Sequence, residues 1–198
     1  MKRILFLIFS LNCAAKTVQI NNTKIVIEKG DITHSKTEAI VNAANKKLLG
    51  GNGVCGAIFK AAGHKLQGAC NRYPENKNGT RCHTGHAKIT KSFKLKKRGI
   101  KYIIHAVGPD CRIVKDEIKQ NKLLKKAYKN SLSLADKHNI KSIAFPFISS
   151  AIYAFPRERA CKIALEAVKD YIKHATQIEE VRFVLFSDAD FSLFCLRI

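Results

Sequence analysis

Several patterns that would settle the chemistry of this chain at once are missing from it. None of its seven cysteines stands in Cys-x-x-Cys spacing and its seven histidines complete no zinc pattern, so no metal and no other cofactor is expected. No glycine loop ends in Gly-Lys-Ser/Thr, which excludes a P-loop. The apolar run from Ile4 to Leu11 is too short to cross a bilayer as a helix, so no integral membrane segment is expected. Acidic residues are also scarce, 15 against 36 Lys+Arg, which leaves a formal charge of +21. Such a surface attracts polyanions and speeds capture of anionic ligands, although a merely lysine-rich solvated surface has the same composition. The basic residues are scattered, as in Lys94-Leu95-Lys96-Lys97-Arg98, without the aromatic-interleaved stripe of a dedicated nucleic-acid module.

What is present is organised around Asn42–Gly56. Glu38-Ala39-Ile40-Val41 reads as a buried strand, and Val54–Gly63 as a helix by its apolar spacing. Between them, glycines at 50, 51, 53 and 56 permit positive φ and let main-chain N–H groups approach a ligand, while the first helical turn offers unpaired donors. Strand, glycine loop and helix in that order suit a phosphate or diphosphate. Gly51-x-Gly53-x-x-Gly56 matches the dinucleotide fingerprint literally, but no acidic residue follows about twenty positions on to hold a ribose.

The length of 198 residues suits one domain, large enough to bury a core without staples. Residues 1–15 open with two cations, run apolar and end in small residues, the layout of a secretory signal peptide cleaved after Ala15; lipid attachment at Cys13 and a non-targeting first strand are the alternatives. The domain is then 16–198, secreted or periplasmic, delivered to a host cell, or cytoplasmic if the segment is no signal. Thr17–Ile20 and Lys24–Ile27 read as strands around Asn21-Asn22, and further strands are expected at Thr84–Lys91, Tyr102–Val107, Ser142–Ile148 and Val181–Phe186. Helices are expected at Lys119–His138 and Arg157–His174, and Lys65–Arg81 reads as polar surface loop.

Six motifs follow one another: Gly30-Asp31-Ile32-Thr33, Ala39–Asn45, the glycine loop, Thr84–Thr90, Ile104–Pro109 and Ile143–Ser150. Together they resemble a macrodomain, the ADP-ribose-binding module, over roughly residues 24–195. The resemblance implies an α/β fold, a three-layer α/β/α macrodomain with a mixed central sheet. Asp31 then accepts a hydrogen bond from adenine with Ile32 nearby, though Asp31 is equally suited to cap a turn. Gly51, Asn52, Gly53, Val54, Cys55 and Gly56 surround the diphosphate from one side, and Ser149, Ser150, Ala151, Ile152 and Tyr153 from the other. Asn45, with donor and acceptor in one head, holds the distal ribose, and Asn42 is structural. Phe186 covers adenine or is core, with Phe191 as a substitute; His105 is a hydrogen-bonded core residue or a base.

The implied reaction is hydrolysis of mono-ADP-ribose from acidic side chains, or deacetylation of O-acetyl-ADP-ribose, with Asn45, Gly53 and Tyr153 confining the water. Four residues depart from the family pattern. Asn52 replaces a common glycine, and asparagine tolerates left-handed geometry, so the loop is expected to survive. Cys55 stands where hydrolysing members carry an aspartate, and reads as small apolar filler or as a thiol nucleophile; Ala151 and Ala154 replace glycines, where positive φ costs of order 1 kcal/mol. A non-catalytic reader of ADP-ribosylated protein and a basic binder of poly-ADP-ribose or nucleic acid are the alternatives. The expected partner is ADP-ribose or mono-ADP-ribosylated protein, and the expected state a monomer.

Overall fold

A computed structural model describes residues 15–198. The expected signal segment therefore lies outside the described residues, apart from Ala15, which opens the first strand and pairs with Glu28.

Seven strands form one sheet: β1 (Ala15–Ile20), β2 (Thr23–Lys29), β3 (Ala39–Ala43), β4 (Ala87–Lys91), β5 (Tyr102–Ala106), β6 (Ser142–Phe145) and β7 (Glu180–Leu185), in the order β1-β2-β7-β6-β3-β5-β4. The five inner strands are parallel, and β1 and β4 run antiparallel at the two edges. The sheet is mixed, as expected. Inner strands buried on both faces read as apolar runs rather than as alternation. In β3, Ala39 and Val41 join the core under the helices α3 (Glu117–Lys137), α4 (Arg157–Ile172) and α5 (Asp188–Arg197). Ile40 points the other way, into the core under α1 (Gly53–Ala62) and α2 (Lys65–Asn71). Helices on both sides of the sheet make three layers.

The helix starts follow capping chemistry. Asp116 accepts from Lys119 N at 3.0 Å and opens α3, and Ser187 accepts from Asp190 N at 3.2 Å and opens α5. Two elements differ from the expectations. Lys65–Asn71 is helical, because Leu66, Ala69 and Cys70 bury one side of an otherwise polar stretch. Thr84–His86 is a turn ahead of β4, with Gly85 at φ +82° and its N–H donating to Val107 O at 2.7 Å. The six described cysteines are free thiols. Among the described residues no helix is long and apolar enough to cross a membrane.

A parallel array puts its ligand beyond the carboxyl ends of its strands. Here those ends deliver Gly30–Ile32 from β2, Phe186 and Ser187 from β7, Pro146–Ser149 from β6, Ala44 and Asn45 from β3, and Gly108 after β5.

Candidate functional site

Two adjoining cavities occupy that end of the sheet. One, of about 490 Å³, is lined by Asp31, Ile32, Ser150 and Phe186; the other, of about 260 Å³, by Asn45, Gly51, Asn52, Cys55, Ser149, Ile152 and Tyr153. Gly53, Val54, Phe147 and Ala151 line both, so the cavities form one cleft pinched at the start of α1. Asn52, at the N-cap of α1, makes no side-chain bond to the first turn, which leaves its main-chain donors aimed at the pinch.

The glycine loop has a steric logic. A Cβ on Gly56 would lie 2.3 Å from Gly51 O, so Gly56 lines neither cavity but lets the loop fold against the helix. Gly53 sits at φ +60° with open space around it, and Leu48 takes φ +56° to close the preceding turn. Asn45 ties that turn: its Nδ2 donates to Leu49 O at 2.7 Å, and its Oδ1 accepts from Lys47 N at 3.1 Å and Leu49 N at 3.2 Å. Both lone pairs of Oδ1 are used, so the head keeps a single N–H for a ligand, not the donor and acceptor expected.

Across the cleft, Ser149 holds φ +64° and its buried Oγ has no hydrogen-bond partner. A buried, unsatisfied hydroxyl costs free energy unless a ligand completes it. Gly108 makes this approach possible, since a Cβ there would lie 2.1 Å from Ser149 Oγ. Of the two alanines, Ala154 takes φ +51°, yet lines neither cavity; Ala151 lines both without a positive φ. The strain expected at both alanines thus falls on Ala154 alone, and Ala151 is the one that narrows the cleft. Tyr153 is half-buried, which raises its pKa, and Arg112 lies 6.0 Å from its ring centroid. Arg112 is itself held by Asp110 through Nε to Oδ1 at 2.9 Å, and that bond lowers the Asp110 carboxyl.

Asp31 caps the turn and stands at the cleft. Its Oδ1 accepts from Thr33 N at 2.9 Å as a cap, while the residue lines the larger cavity. Phe186 is 85% exposed at the mouth of that cavity and is not core, whereas Phe191 packs against the helical core and cannot replace it. Cys55 is 6% exposed, with its Sγ 3.7 Å from Leu49 O and 3.6 Å from Asn42 Nδ2. Burial pushes its thiol up, which argues against a thiolate nucleophile. His105 is fully buried and hydrogen-bonded, a core residue rather than a base at the cleft.

The sequence profile of the family described as Macro domain matches residues 41–164. The chain belongs to the macrodomain family. A solved Oceanobacillus iheyensis macrodomain with ADP is similar to it, 38% identical and covering 93% of this chain and 94% of that one at a TM-score of 0.85. The human ADP-ribose glycohydrolase MACROD2 is 43% identical over 86% of this chain and 38% of its own length. The O-acetyl-ADP-ribose deacetylase of Salmonella newport is 42% identical over 84% of this chain and 89% of its own length.

The macrodomain cleft contains further residues that sequence reasoning missed. Arg157, on the first turn of α4, donates through Nε to Asp190 Oδ1 at 2.9 Å, and both residues line the larger cavity. Gly108 lines the smaller end, and Arg112 stands over the ring of Tyr153, which lines it too. Gly108 stood in a quoted motif and could have been found from it; the two arginine pairs join distant segments and left no local signal.

Proposed function

We propose that this macrodomain binds ADP-ribose along the cleft and hydrolyses it from acidic side chains of mono-ADP-ribosylated proteins, or removes acetate from O-acetyl-ADP-ribose. The observation that carries the reading is the pinch between the cavities. The first turn of α1 borders both cavities there, and the unpartnered Ser149 hydroxyl belongs to a residue lining the smaller one, which supports a diphosphate site. Adenine then lies in the larger cavity with Asp31, Ile32 and Phe186, and the distal ribose lies in the smaller one with Asn45 and Tyr153. The glycohydrolase and deacetylase names of the two relatives support the reaction class.

The chemistry needs no protein base. A water confined between Asn45, Gly53 and Tyr153 gives a proton to the substrate's own phosphate and attacks the ester carbonyl carbon; the acyl C–O bond breaks and the phosphate returns that proton to the departing ribose oxygen, leaving a free carboxylic acid and an ADP-ribose hydroxyl. The residual N–H of Asn45 orients a ribose oxygen, and the α1 donors hold the phosphate in place, so positioning and electrostatic stabilisation carry the rate. Cys55, protonated and packed under the loop, takes no part.

Calorimetric titration with ADP-ribose and with AMP tests the placement. ADP-ribose is expected to bind at least about tenfold tighter, because AMP leaves the smaller cavity empty. Equal affinities would overturn it, and tight binding without release of ADP-ribose from protein would make the chain a reader.

The basic surface supports polyanion contact, and we propose a monomer. Residues 1–15 support export as a cleaved signal, which N-terminal sequencing of the mature protein tests: a protein still beginning at Met1 would contradict it.

A further inference from the structure

The positive charge of this chain is not spread evenly. Residues 39–109 hold fourteen Lys and Arg and a single acidic residue, Glu75, which pairs with Arg81 at 2.6 Å. This segment builds α1, α2, β4 and the 3-10 turn Phe93–Arg98, which together cover one side of the sheet and its β4 edge. Among the described residues, none of Lys65, Arg72, Lys88, Lys91, Lys94 and Lys97 enters an ion pair.

Two grooves cross this face on either side of Phe93. One, of about 430 Å³, runs between α2 and β4 past Arg72, Tyr73 and Lys91; the other, of about 360 Å³, runs past Lys65, Lys94 and Lys97. Phe93 belongs to both and holds φ +52°, a left-handed conformation that bulky residues seldom adopt. Its ring packs in part against the core under α1 and α2 and borders both cation-lined channels. Tyr73 supplies a second ring, capped by Lys88 Nζ at 5.2 Å from its centroid. Lys91 pairs with Tyr102, at the end of β5 remote from the ADP-ribose cleft, so this face and the cleft are separate surfaces.

We infer that this face docks single-stranded nucleic acid, with phosphates on Lys65, Arg72, Lys91, Lys94 and Lys97 and bases against Phe93 and Tyr73. The aromatic-interleaved basic stripe that the sequence lacks is assembled by folding, from α2, β4 and the turn after it. Charge of one sign selects a polyanion. Rings at the floor of cation-lined grooves select unpaired bases, whose π faces a duplex hides. A membrane surface fits less well, because among the described residues the exposed large apolar ones, Leu49, Ile113, Ile118, Ile152, Phe186 and Leu196, all lie elsewhere. The inference does not depend on hydrolysis in the cleft.

Fluorescence anisotropy of the full chain with an oligo-dT of about 20 nucleotides, the matching duplex and anionic phosphatidylserine vesicles tests it, with salt as the second variable. The single strand is expected to bind tightest, with affinity falling steeply with salt. Reversing Lys91, Lys94 and Lys97 to Glu is expected to weaken it by more than about a hundredfold, and Phe93→Leu by about tenfold, with ADP-ribose affinity and thermal unfolding unchanged. Reversing Lys119, Lys122 and Lys126 on α3 is the control, expected to cost far less. Equal losses for the two triple variants, a Phe93→Leu variant that binds like the parent, or a preference for duplex or vesicles would each overturn the inference.

Discussion

Asn42 and His105 stand directly opposite each other on β3 and β5, with Asn42 Nδ2 3.1 Å from His105 Nδ1. The other ring nitrogen lies 3.0 Å from Thr90 Oγ1, and burial with no charged partner lowers the imidazole from 6.5 to about 4. The folded chain therefore keeps His105 neutral in a range where the unfolded chain protonates it. Stability is complete above pH 6.5 and declines as the pH falls toward 4, by about 3 kcal/mol from this group. Urea unfolding at pH 7.5 and 4.5 should show a smaller pH difference in His105→Gln than in the parent. Identical differences would remove His105 from the account.

Gly51 and Gly56 are expected to respond oppositely to alanine. A Cβ at 56 meets the Gly51 carbonyl at 2.3 Å, so Gly56→Ala forces the loop to move and should cost about 1–3 kcal/mol and most ADP-ribose affinity. At 51 the Cβ meets nothing, and Gly51→Ala should leave the unfolding free energy within about 0.5 kcal/mol. Calorimetric ADP-ribose affinity and denaturant unfolding of the two variants check this. A stable Gly56→Ala variant with parental affinity would contradict it.

Ala154→Gly should stabilise the fold by about 0.5–1 kcal/mol, because φ +51° strains alanine more than glycine's greater unfolded freedom costs. Ala154 lines neither cavity, so ADP-ribose affinity should not change. Thermal unfolding reads the first effect and titration the second; a lowered melting point would show that the strain is not there.

Cys55→Ala should keep turnover within about threefold, since a buried protonated thiol offers no nucleophile and removing it creates only a small void. Steady-state rates decide this, and a loss of a hundredfold or more would reinstate the thiol as catalytic.

Much of the site is local in the chain and was legible for that reason. Asn45, Gly53 and Val54 follow one buried strand and begin one helix, so spacing alone places them together. The Ser149–Tyr153 loop was legible because β6 is an apolar run that can only be an inner strand. What the sequence concealed depends on pairs brought together by folding. Arg112 reaches Tyr153, Arg157 reaches Asp190 and Tyr73 comes alongside Phe93 across stretches of 20 to 41 residues. Helix α2 was hidden differently: Leu66, Ala69 and Cys70 are too few apolar positions to show a period in seven residues. The sense of Asn45 was half legible, since its residue type gave the chemistry but only the turn it closes shows which half remains free.

The central claim is hydrolysis, and the most direct measurement is multiple-turnover release of ADP-ribose from a glutamate-linked mono-ADP-ribosylated protein, with acetate release from O-acetyl-ADP-ribose followed in parallel. Release on at least one substrate is expected, falling by about a hundredfold in Asn45→Ala. Tight ADP-ribose binding with no release from either substrate would contradict the account and leave a binding module in place of an enzyme.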